Sequence, residues 1–227
     1  MTVPSTAHLR ASGGEVGGEP TPRAERWAIP FAVAIVGLLI VAAYLRSGTL
    51  PRFDNPDAPS PFAYPTVTPA PALALITQDE AAFDLSSLRG GPVLVFFGYT
   101  HCPDICPATL GELNQALSLD PGAGAHVVFA SIDPERDTPA SLRDYLRYMP
   151  AGYVLLTGSA SAVRTTATAW GVSYARVDGA SPGEYTMAHS AEVYLVDAVG
   201  QLRAHYPFGT KAPAIVADLR RLAHETK

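Results

Sequence analysis

The sequence has little charge and very little cysteine, and each shortage narrows its possible functions. Only 16% of its 227 residues are charged and 48% are apolar, which is the composition of one globular domain with extra segments. The net charge of −5 contains no basic run or stripe, and this excludes DNA and RNA as partners. The two cysteines are Cys102 and Cys106, so any thiol or disulfide chemistry must use this one pair.

One long apolar segment lies near the N-terminus. Residues 27–45 read WAIPFAVAIVGLLIVAAYL and carry no charge, with arginines on both sides. A helix needs roughly 20 such residues to cross a hydrocarbon core of about 30 Å, and Trp27 and Tyr44 lie where interfacial aromatic anchors belong. The alternative is a secretory signal peptide, whose apolar core is usually only about 7 to 15 residues long. We therefore predict an uncleaved, single-pass transmembrane anchor over residues 27–45.

Segments rich in proline or glycine flank this anchor. Residues 1–26 are poor in apolar residues and are expected to form a disordered tail. Residues 46–72 are rich in proline and are expected to form a semi-rigid linker that holds a domain, residues 73–227, off the membrane. The arginines on the two sides nearly balance, so charge alone does not set the orientation. Because a large domain is the more usual exported cargo, we place it on the extracytoplasmic side of the cell membrane.

Patterns typical of strands and helices alternate from residue 73 onward. Apolar runs predict strands over residues 93–97, 126–132, 153–156, 172–177, 193–196 and 202–206. Helical spacing predicts helices that begin at Pro107, Pro139 and Ala160 and near Pro213. Strands joined by helices, followed by a hairpin and a last helix, are typical of a thioredoxin-like, three-layer α/β/α domain with a mixed sheet.

The two cysteines lie four residues apart, directly after the first buried strand, in GYTHCPDICP. This strand end is where open α/β sheets bind ligands. Two thiols at this spacing can bind one soft metal ion or close on each other as a disulfide. The N-terminus of the following helix is expected to lower a thiol pKa from about 8.5, which favours the thiolate that binds metals. An inert buried pair or a purely structural disulfide fits this polar, proline-punctuated loop less well.

A pair of thiolates leaves copper or zinc short of ligands, and the usual supplement is an imidazole. Of the six histidines, His189 is the best placed, because it lies shortly before the strand predicted over residues 193–196. We expect its loop to face the carboxyl end of the first strand. A loop or core histidine without a ligand role is the alternative.

Three separated motifs resemble the Sco (SenC) family of copper chaperones. They are FFGYTHCPDICP, SIDPERDTP and the histidine that leads into a YLVD strand, and the resemblance covers roughly residues 85–222 in the family's order. Members of that family are membrane-anchored thioredoxin-like domains that help to assemble the binuclear copper centre of cytochrome c oxidase. The resemblance implies that Cys102, Cys106 and His189 hold one copper ion, as Cu(I) or Cu(II). It also implies two kinds of partner, the copper-site subunit of the oxidase and other copper chaperones.

Three further positions bear on this resemblance. Relatives often carry an acidic residue directly before the histidine, where this chain has Ala188. Asp133 and Asp137 lie in the second motif, but hard carboxylate ligands suit magnesium or calcium better than a copper ion bound by thiolates. We expect these two to shape their loop before the helix cap at Thr138, with support of the metal site or docking of a partner as the alternative.

The same thiols also suit a thiol-disulfide oxidoreductase that acts on cysteines of an oxidase subunit or of another copper protein. Conventional thioredoxins have Cys-x2-Cys, whereas this chain has Cys-x3-Cys, which counts against a general reductase. A peroxiredoxin would place a threonine three residues before its reactive cysteine, but Thr100 lies two before Cys102. Copper delivery and thiol reduction therefore stay open as alternatives.

Overall fold

The computed structural model describes residues 35–39, 42 and 60–225. Residues 35–39 and 42 are helical and belong to a different compact unit from the C-terminal domain. The anchor predicted over residues 27–45 lies largely outside the described residues, as do the predicted tail and the first part of the linker. Among the residues that are described, no helix is both long enough and apolar enough to span a membrane.

The C-terminal domain is built from strands and helices that alternate along the chain. The strands are β1 (Ala63–Pro69), β2 (Ile76–Thr77), β3 (Val93–Gly98), β4 (His126–Ser131), β5 (Tyr153–Thr157), β6 (Tyr174–Asp178), β7 (Tyr185–His189), β8 (Val193–Val196) and β9 (Gln201–Tyr206). The helices are α1 (Ile105–Leu119), α2 (Pro139–Leu146), α3 (Ala160–Ala169) and α4 (Ala212–Glu225). Short 3₁₀ turns occupy Leu85–Leu88 and Pro121–Ala123.

Seven of these strands form one mixed sheet in the order β1-β9-β8-β3-β4-β5-β2. Strands β3, β4 and β5 are parallel, and α1 and α2 make the crossovers that parallel neighbours require. Strand β8 pairs antiparallel with β3 and forms a hairpin with β9. The predicted α/β class, with a mixed sheet and a late hairpin, is confirmed.

The central strand β3 is buried along its whole length, with helices on both sides. Its neighbouring side chains point to opposite faces of the sheet. On one face Phe96 packs against Phe129, which contacts Tyr145 of α2. On the other face Phe97 packs against Trp170, directly after α3. The sheet is thus the middle layer of the domain, and its core fixes the carboxyl end of β3 in place.

Helix α1 begins two residues earlier than the sequence predicts, at Ile105. The prediction placed Pro107 first because proline is common at that position. Proline is also tolerated at the third position, since the N–H groups of the first turn have no partner within the helix. Cys106 therefore lies inside the first turn of α1, and Cys102 lies in the loop before it.

Residues 63–69, which the sequence analysis assigns to the linker, form strand β1. This strand pairs antiparallel with β9 at one edge of the sheet. Pro65 and Pro69 fit there because an edge strand need not donate every N–H to a neighbour. The hydroxyl of Ser60 also donates to the Asp218 carboxylate of α4 at 2.7 Å. The linker prediction is therefore wrong from Ser60 onward, and the domain begins before residue 73.

Strands β6 and β7 form a two-stranded antiparallel ribbon that is separate from the main sheet. The sequence predicts β6 approximately but misses β7, because YTMAH contains no apolar run and only every second residue is partly buried. His189, expected in a loop, is the last residue of β7 and pairs with Tyr174. The ribbon therefore sets the position of its imidazole.

Candidate metal centre

Cys102, Cys106 and His189 converge beyond the carboxyl end of β3. Their ligand atoms all lie within 4.8 Å of one another. The Cys106 sulfur is 3.6 Å from Nε2 of His189, and the Cys106 N–H points at the Cys102 sulfur, 3.4 Å away. The structure thus brings together the three residues that the sequence motifs single out.

Cys102 is half-buried in the loop between β3 and α1. Burial alone raises the pKa of its thiol, but the N–H groups of Asp104 and Cys106 donate to the sulfur and stabilise the thiolate. The net pKa of Cys102 lies below the usual value for cysteine. This thiol is therefore the one that ionises first, as the helix start predicts.

Cys106 lies on the inner side of the first turn of α1 and is only 1% exposed. Burial raises the pKa of its thiol well above the usual value, and the negative charges of Cys102 and Asp137 raise it further. The predicted lowering of the thiol pKa is thus confirmed for Cys102 and wrong for Cys106. At the buried Cys106 sulfur, the cost of desolvating the thiolate outweighs the stabilisation by the N-terminus of the helix. Gly98 makes room for this sulfur, since a Cβ there would lie 2.9 Å from it.

The imidazole of His189 is oriented by its neighbours. Nδ1 lies 2.9 Å from the carbonyl oxygen of Ser190 and donates to it, which leaves the lone pair of Nε2 facing Cys106. Burial lowers the pKa of His189, partly opposed by the Ser190 carbonyl, and the lowered pKa favours the neutral ring. Tyr99 and Phe96 pack edge-on against the ring, with centroids 6.1 and 6.2 Å away. A neutral, oriented imidazole is the form that binds a metal.

Ala188 does not leave a gap behind the imidazole. Alternate residues of β7 face opposite sides of the ribbon, and Ala188 is on the exposed side. A carboxylate at this position would face solvent. The orienting role that such a group plays at many metal-bound histidines falls to the Ser190 carbonyl.

Asp137 ties the loop that carries Cys102 to the end of β4. It is fully buried and accepts three hydrogen bonds, from the Thr100 N–H at 3.0 Å, the Thr100 hydroxyl at 2.5 Å and the Ser131 hydroxyl at 2.6 Å. Burial raises the pKa of Asp137, and these hydrogen bonds oppose the rise. The carboxylate therefore holds the backbone two residues before Cys102.

Asp133 holds the other ligand-bearing segment. It is 2% exposed and accepts from Nε of Arg136 at 2.5 Å and from the Tyr185 hydroxyl at 2.8 Å. Tyr185 opens β7, the strand that ends at His189. Because Asp133 and Asp137 are both buried, the geometry fits support of the site better than docking of a partner.

Sequence reasoning misses the side chains that connect these segments. Tyr99 is buried, as a core residue would be, but its hydroxyl also lies beside the Cys102 thiol and the Met187 N–H. Arg136 lies within the second motif, whereas Tyr185 stands four residues before His189 and outside the three motifs. Their importance is visible only once the loop and the ribbon are side by side.

The family model for SCO1/SenC matches residues 68–224. The chain belongs to the SCO1/SenC family. A putative copper-binding protein of Stutzerimonas stutzeri is 32% identical over 188 residues, which are 82% of this chain and 90% of that protein. The structure of Bradyrhizobium japonicum ScoI with copper bound is 34% identical, with a TM-score of 0.60, and the match covers 68% of this chain and 99% of that one. These matches confirm the family resemblance of the three motifs.

The Sco fold extends to more distant proteins. BsSco shares the fold at 23% identity and a TM-score of 0.56, over 71% of this chain and 97% of its own. It is described as a member of the Sco family of cytochrome c oxidase assembly proteins in which a disulfide switch was identified. Proteins with this fold therefore include one solved with copper bound and one with a disulfide switch.

Proposed function

We propose that this chain is a copper chaperone, in which Cys102, Cys106 and His189 bind one copper ion for delivery to the copper-site subunit of cytochrome c oxidase. The observation that carries the proposal is the convergence of two sulfurs and one imidazole nitrogen within 4.8 Å. Membership of the SCO1/SenC family and the copper-bound relative at 34% identity support the choice of metal.

The donor set suits both oxidation states of copper. Thiolates are soft ligands that favour Cu(I), and the imidazole is the harder ligand that allows Cu(II) to be held as well. Three protein donors leave room in the coordination shell for a ligand from a partner. Cys102 is the more exposed of the two sulfurs, so an incoming ligand would reach the ion from its side.

The proposed setting is the extracytoplasmic surface of the cell membrane. Residues 27–45 would anchor the chain, and the proline-rich segment that follows would space the domain from the bilayer. A tethered carrier would stay close to an oxidase subunit embedded in the same membrane. Other copper chaperones would supply the ion.

Copper binding is tested on the full chain, purified in detergent with a reductant. We expect one copper per chain, and we expect Cys102→Ser and Cys106→Ser to lose tight binding. His224→Ala changes a histidine near the C-terminal end of α4 and should bind copper as the wild type does. Preferential stoichiometric binding of zinc would contradict the proposal.

A thiol-disulfide oxidoreductase is the second candidate, favoured by the difference between the two thiols. The Cys102 thiolate would attack a disulfide of a copper protein and release one of its thiolates, which takes up a proton. Cys106 would then lose its proton and attack the Cys102 sulfur, releasing the second thiolate. The partner gains two electrons, and this chain is left with a Cys102–Cys106 disulfide that a reductant must reopen. A low pKa at the outer thiol and a high one at the inner thiol fit this order of attack.

A gene deletion separates the two candidates. For a copper chaperone, oxidase activity should fall most at low copper, and added copper should restore part of it. For an oxidoreductase, oxidase activity would stay intact at low copper while oxidised thiols accumulated on partner proteins. Complementation should require Cys102, Cys106 and His189 at low copper, and should not require His224.

A further inference from the structure

His189 depends on a ribbon that has few attachments to the rest of the domain. Among the described residues, strands β6 and β7 pair only with each other, and most of their own residues are exposed. At the base of the ribbon, the Ser190 N–H donates to the Ser173 carbonyl and the Ser173 N–H to the Ser190 hydroxyl. These bonds close the base of the ribbon on itself, so the far end, four residues before His189, is held to the domain by other contacts.

Tyr185 provides that attachment. Its ring lies between two guanidinium groups. The Cζ atom of Arg136 is 3.6 Å from the ring centroid, and the Cζ atom of Arg176 is 3.8 Å from it. Its hydroxyl donates to Asp133 at 2.8 Å, and its carbonyl accepts from Nη1 of Arg136 at 3.1 Å. We call Arg136, Tyr185 and Arg176 the arginine–tyrosine clamp. It joins β7 to the loop after β4 through stacking and through two hydrogen bonds.

The charges around the clamp are matched. Arg136 pairs with the buried Asp133, while Arg176 pairs with Asp178 of its own strand and reaches Glu135 of the loop. Arg176 therefore also connects the ribbon to the loop after β4. Cation–π stacking is strongest where the cation is partly desolvated, and the Arg136 side chain is only 24% exposed.

The clamp acts on the face of the ribbon that bears the metal ligand. Tyr185, Met187 and His189 alternate with exposed residues, so they share the side that faces the domain. Arg136 also lies 5.6 Å from the ring of Tyr99, whose edge packs on His189. The His189 end of β7 thus contacts Tyr99 and Cys106 directly, while the Tyr185 end reaches Tyr99 through Arg136.

We propose that Tyr185 is a positioning residue for His189, which acts through the arginine–tyrosine clamp and selectively supports the Cu(II) form of the site. The inference rests on the proposed function, because it assigns a role in copper binding. Two sulfurs suffice for Cu(I), whereas Cu(II) needs the imidazole. A loosened ribbon therefore weakens Cu(II) binding and leaves Cu(I) binding largely intact.

The first experiment measures Cu(II) and Cu(I) affinities and the Cu(II) electron paramagnetic resonance spectrum on the full chain. Tyr185→Ala should weaken Cu(II) by about 10-fold or more, the usual cost of losing a group that orients a metal ligand. Tyr185→Phe keeps the ring between the arginines but loses the hydroxyl. Its Cu(II) affinity should lie between those of the wild type and Tyr185→Ala. Val177→Ala shortens an exposed side chain in the same ribbon and should match the wild type.

The second experiment measures amide hydrogen exchange of residues 174–189 without copper. Tyr185→Ala should exchange faster there, with the rest of the domain unchanged. If the wild type bound no copper, the proposed function would fail, while the exchange data would still decide whether the clamp holds the ribbon. If Tyr185→Ala does not fold, Tyr185→Phe and Arg176→Gln replace it. Wild-type exchange and a wild-type Cu(II) spectrum in both of these variants, or in a folded Tyr185→Ala, would overturn the proposal.

Discussion

The Cys106 sulfur lies 3.6 Å from Nε2 of His189, although the two residues are 83 positions apart in the chain. Metal–sulfur bonds of about 2.3 Å and metal–nitrogen bonds of about 2.0 Å, as in zinc sites, place two donors on one ion roughly 3.5 to 4 Å apart. The observed separation already falls in this range. A first turn of a helix and the end of a ribbon thus present two donors at the spacing that one ion requires.

Removing the His189 imidazole should affect Cu(II) binding much more than Cu(I) binding. We expect His189→Ala to lose stoichiometric Cu(II) binding and to keep a weaker Cu(I) site made by the two thiolates. The loss for Cu(II) should exceed the roughly 10- to 100-fold that follows removal of a group behind a ligand. Copper titrations followed by thiolate-to-copper charge-transfer absorption measure this. Unchanged Cu(II) binding would remove His189 from the site.

The two thiols should react at very different rates in the reduced, copper-free protein. The lowered pKa of Cys102 keeps its thiolate present at lower pH than in an ordinary cysteine, so alkylation at pH 7 should modify this residue first. The raised pKa and the burial of Cys106 keep it protonated and shielded until the protein unfolds. Timed iodoacetamide labelling with mass spectrometry between about pH 6 and 9 tests this. Equal rates at both sulfurs would contradict the pKa order.

Copper binding should tighten as the pH rises through neutrality. Cys106 is protonated in the free protein because its pKa is raised, and it must release that proton to bind as a thiolate. The lowered pKa of His189 favours its neutral form, so we expect the thiols to supply the released protons. Competition titrations with a chelator of known pH dependence, at pH 6.5, 7.5 and 8.5, measure the protons released. A Cu(I) affinity independent of pH would mean that Cys106 is not a ligand.

Filling the space at Gly98 should damage both the core and the metal site. A Cβ there would lie 2.9 Å from the Cys106 sulfur and 2.9 and 3.0 Å from ring carbons of Phe96 and Phe129. We expect Gly98→Ala to lower the free energy of unfolding by about 1–3 kcal/mol, as overpacking does, and to weaken copper binding. Gly111→Ala in α1 is the matched control, because its Cβ would meet no other described residue within 4 Å beyond its own helix backbone and chain neighbours, and the variant should gain up to about 1 kcal/mol of stability. Urea unfolding of both variants measures these changes in the free energy of unfolding. Equal stability of Gly98→Ala and the wild type would contradict the prediction.

The N-terminal boundary of the domain can be tested with two truncated chains. One begins at residue 53 and the other at residue 71, which removes β1 and Ser60. The shorter chain loses the Ser60 hydrogen bond to Asp218 and the contact of Phe62 with Tyr206, worth together about 2 kcal/mol or more. It also leaves β9 as an open edge, so it should be less stable and more prone to aggregate. Equal thermal stability would mean that β1 is dispensable.

Five of the seven strands of the main sheet, β3, β4, β5, β8 and β9, and the helices of the domain could be predicted because their signals are local. An apolar run such as 93–97 needs no partner to be recognised, and Thr138 caps α2 through a hydrogen bond to Ser141 three residues away. Strand β1 carries no such signal, because its prolines are typical of a linker and its pairing with β9 comes from the far end of the chain. Strand β7 is likewise defined by its partner β6, and its own residues are mostly polar or small.

The sequence alone determined the three candidate ligands, since the two cysteines, their spacing and the histidine motif can all be recognised from the order of residues along the chain. Only the tertiary structure decided how the ligands differ. Burial gives Cys106 a raised pKa while the N–H groups of the helix start give Cys102 a lowered one, although the two are four residues apart. The arginine–tyrosine clamp depends on distances between segments that are about 40 residues apart or more. Desolvation and distant contacts are properties of the folded chain, and no local pattern encodes them.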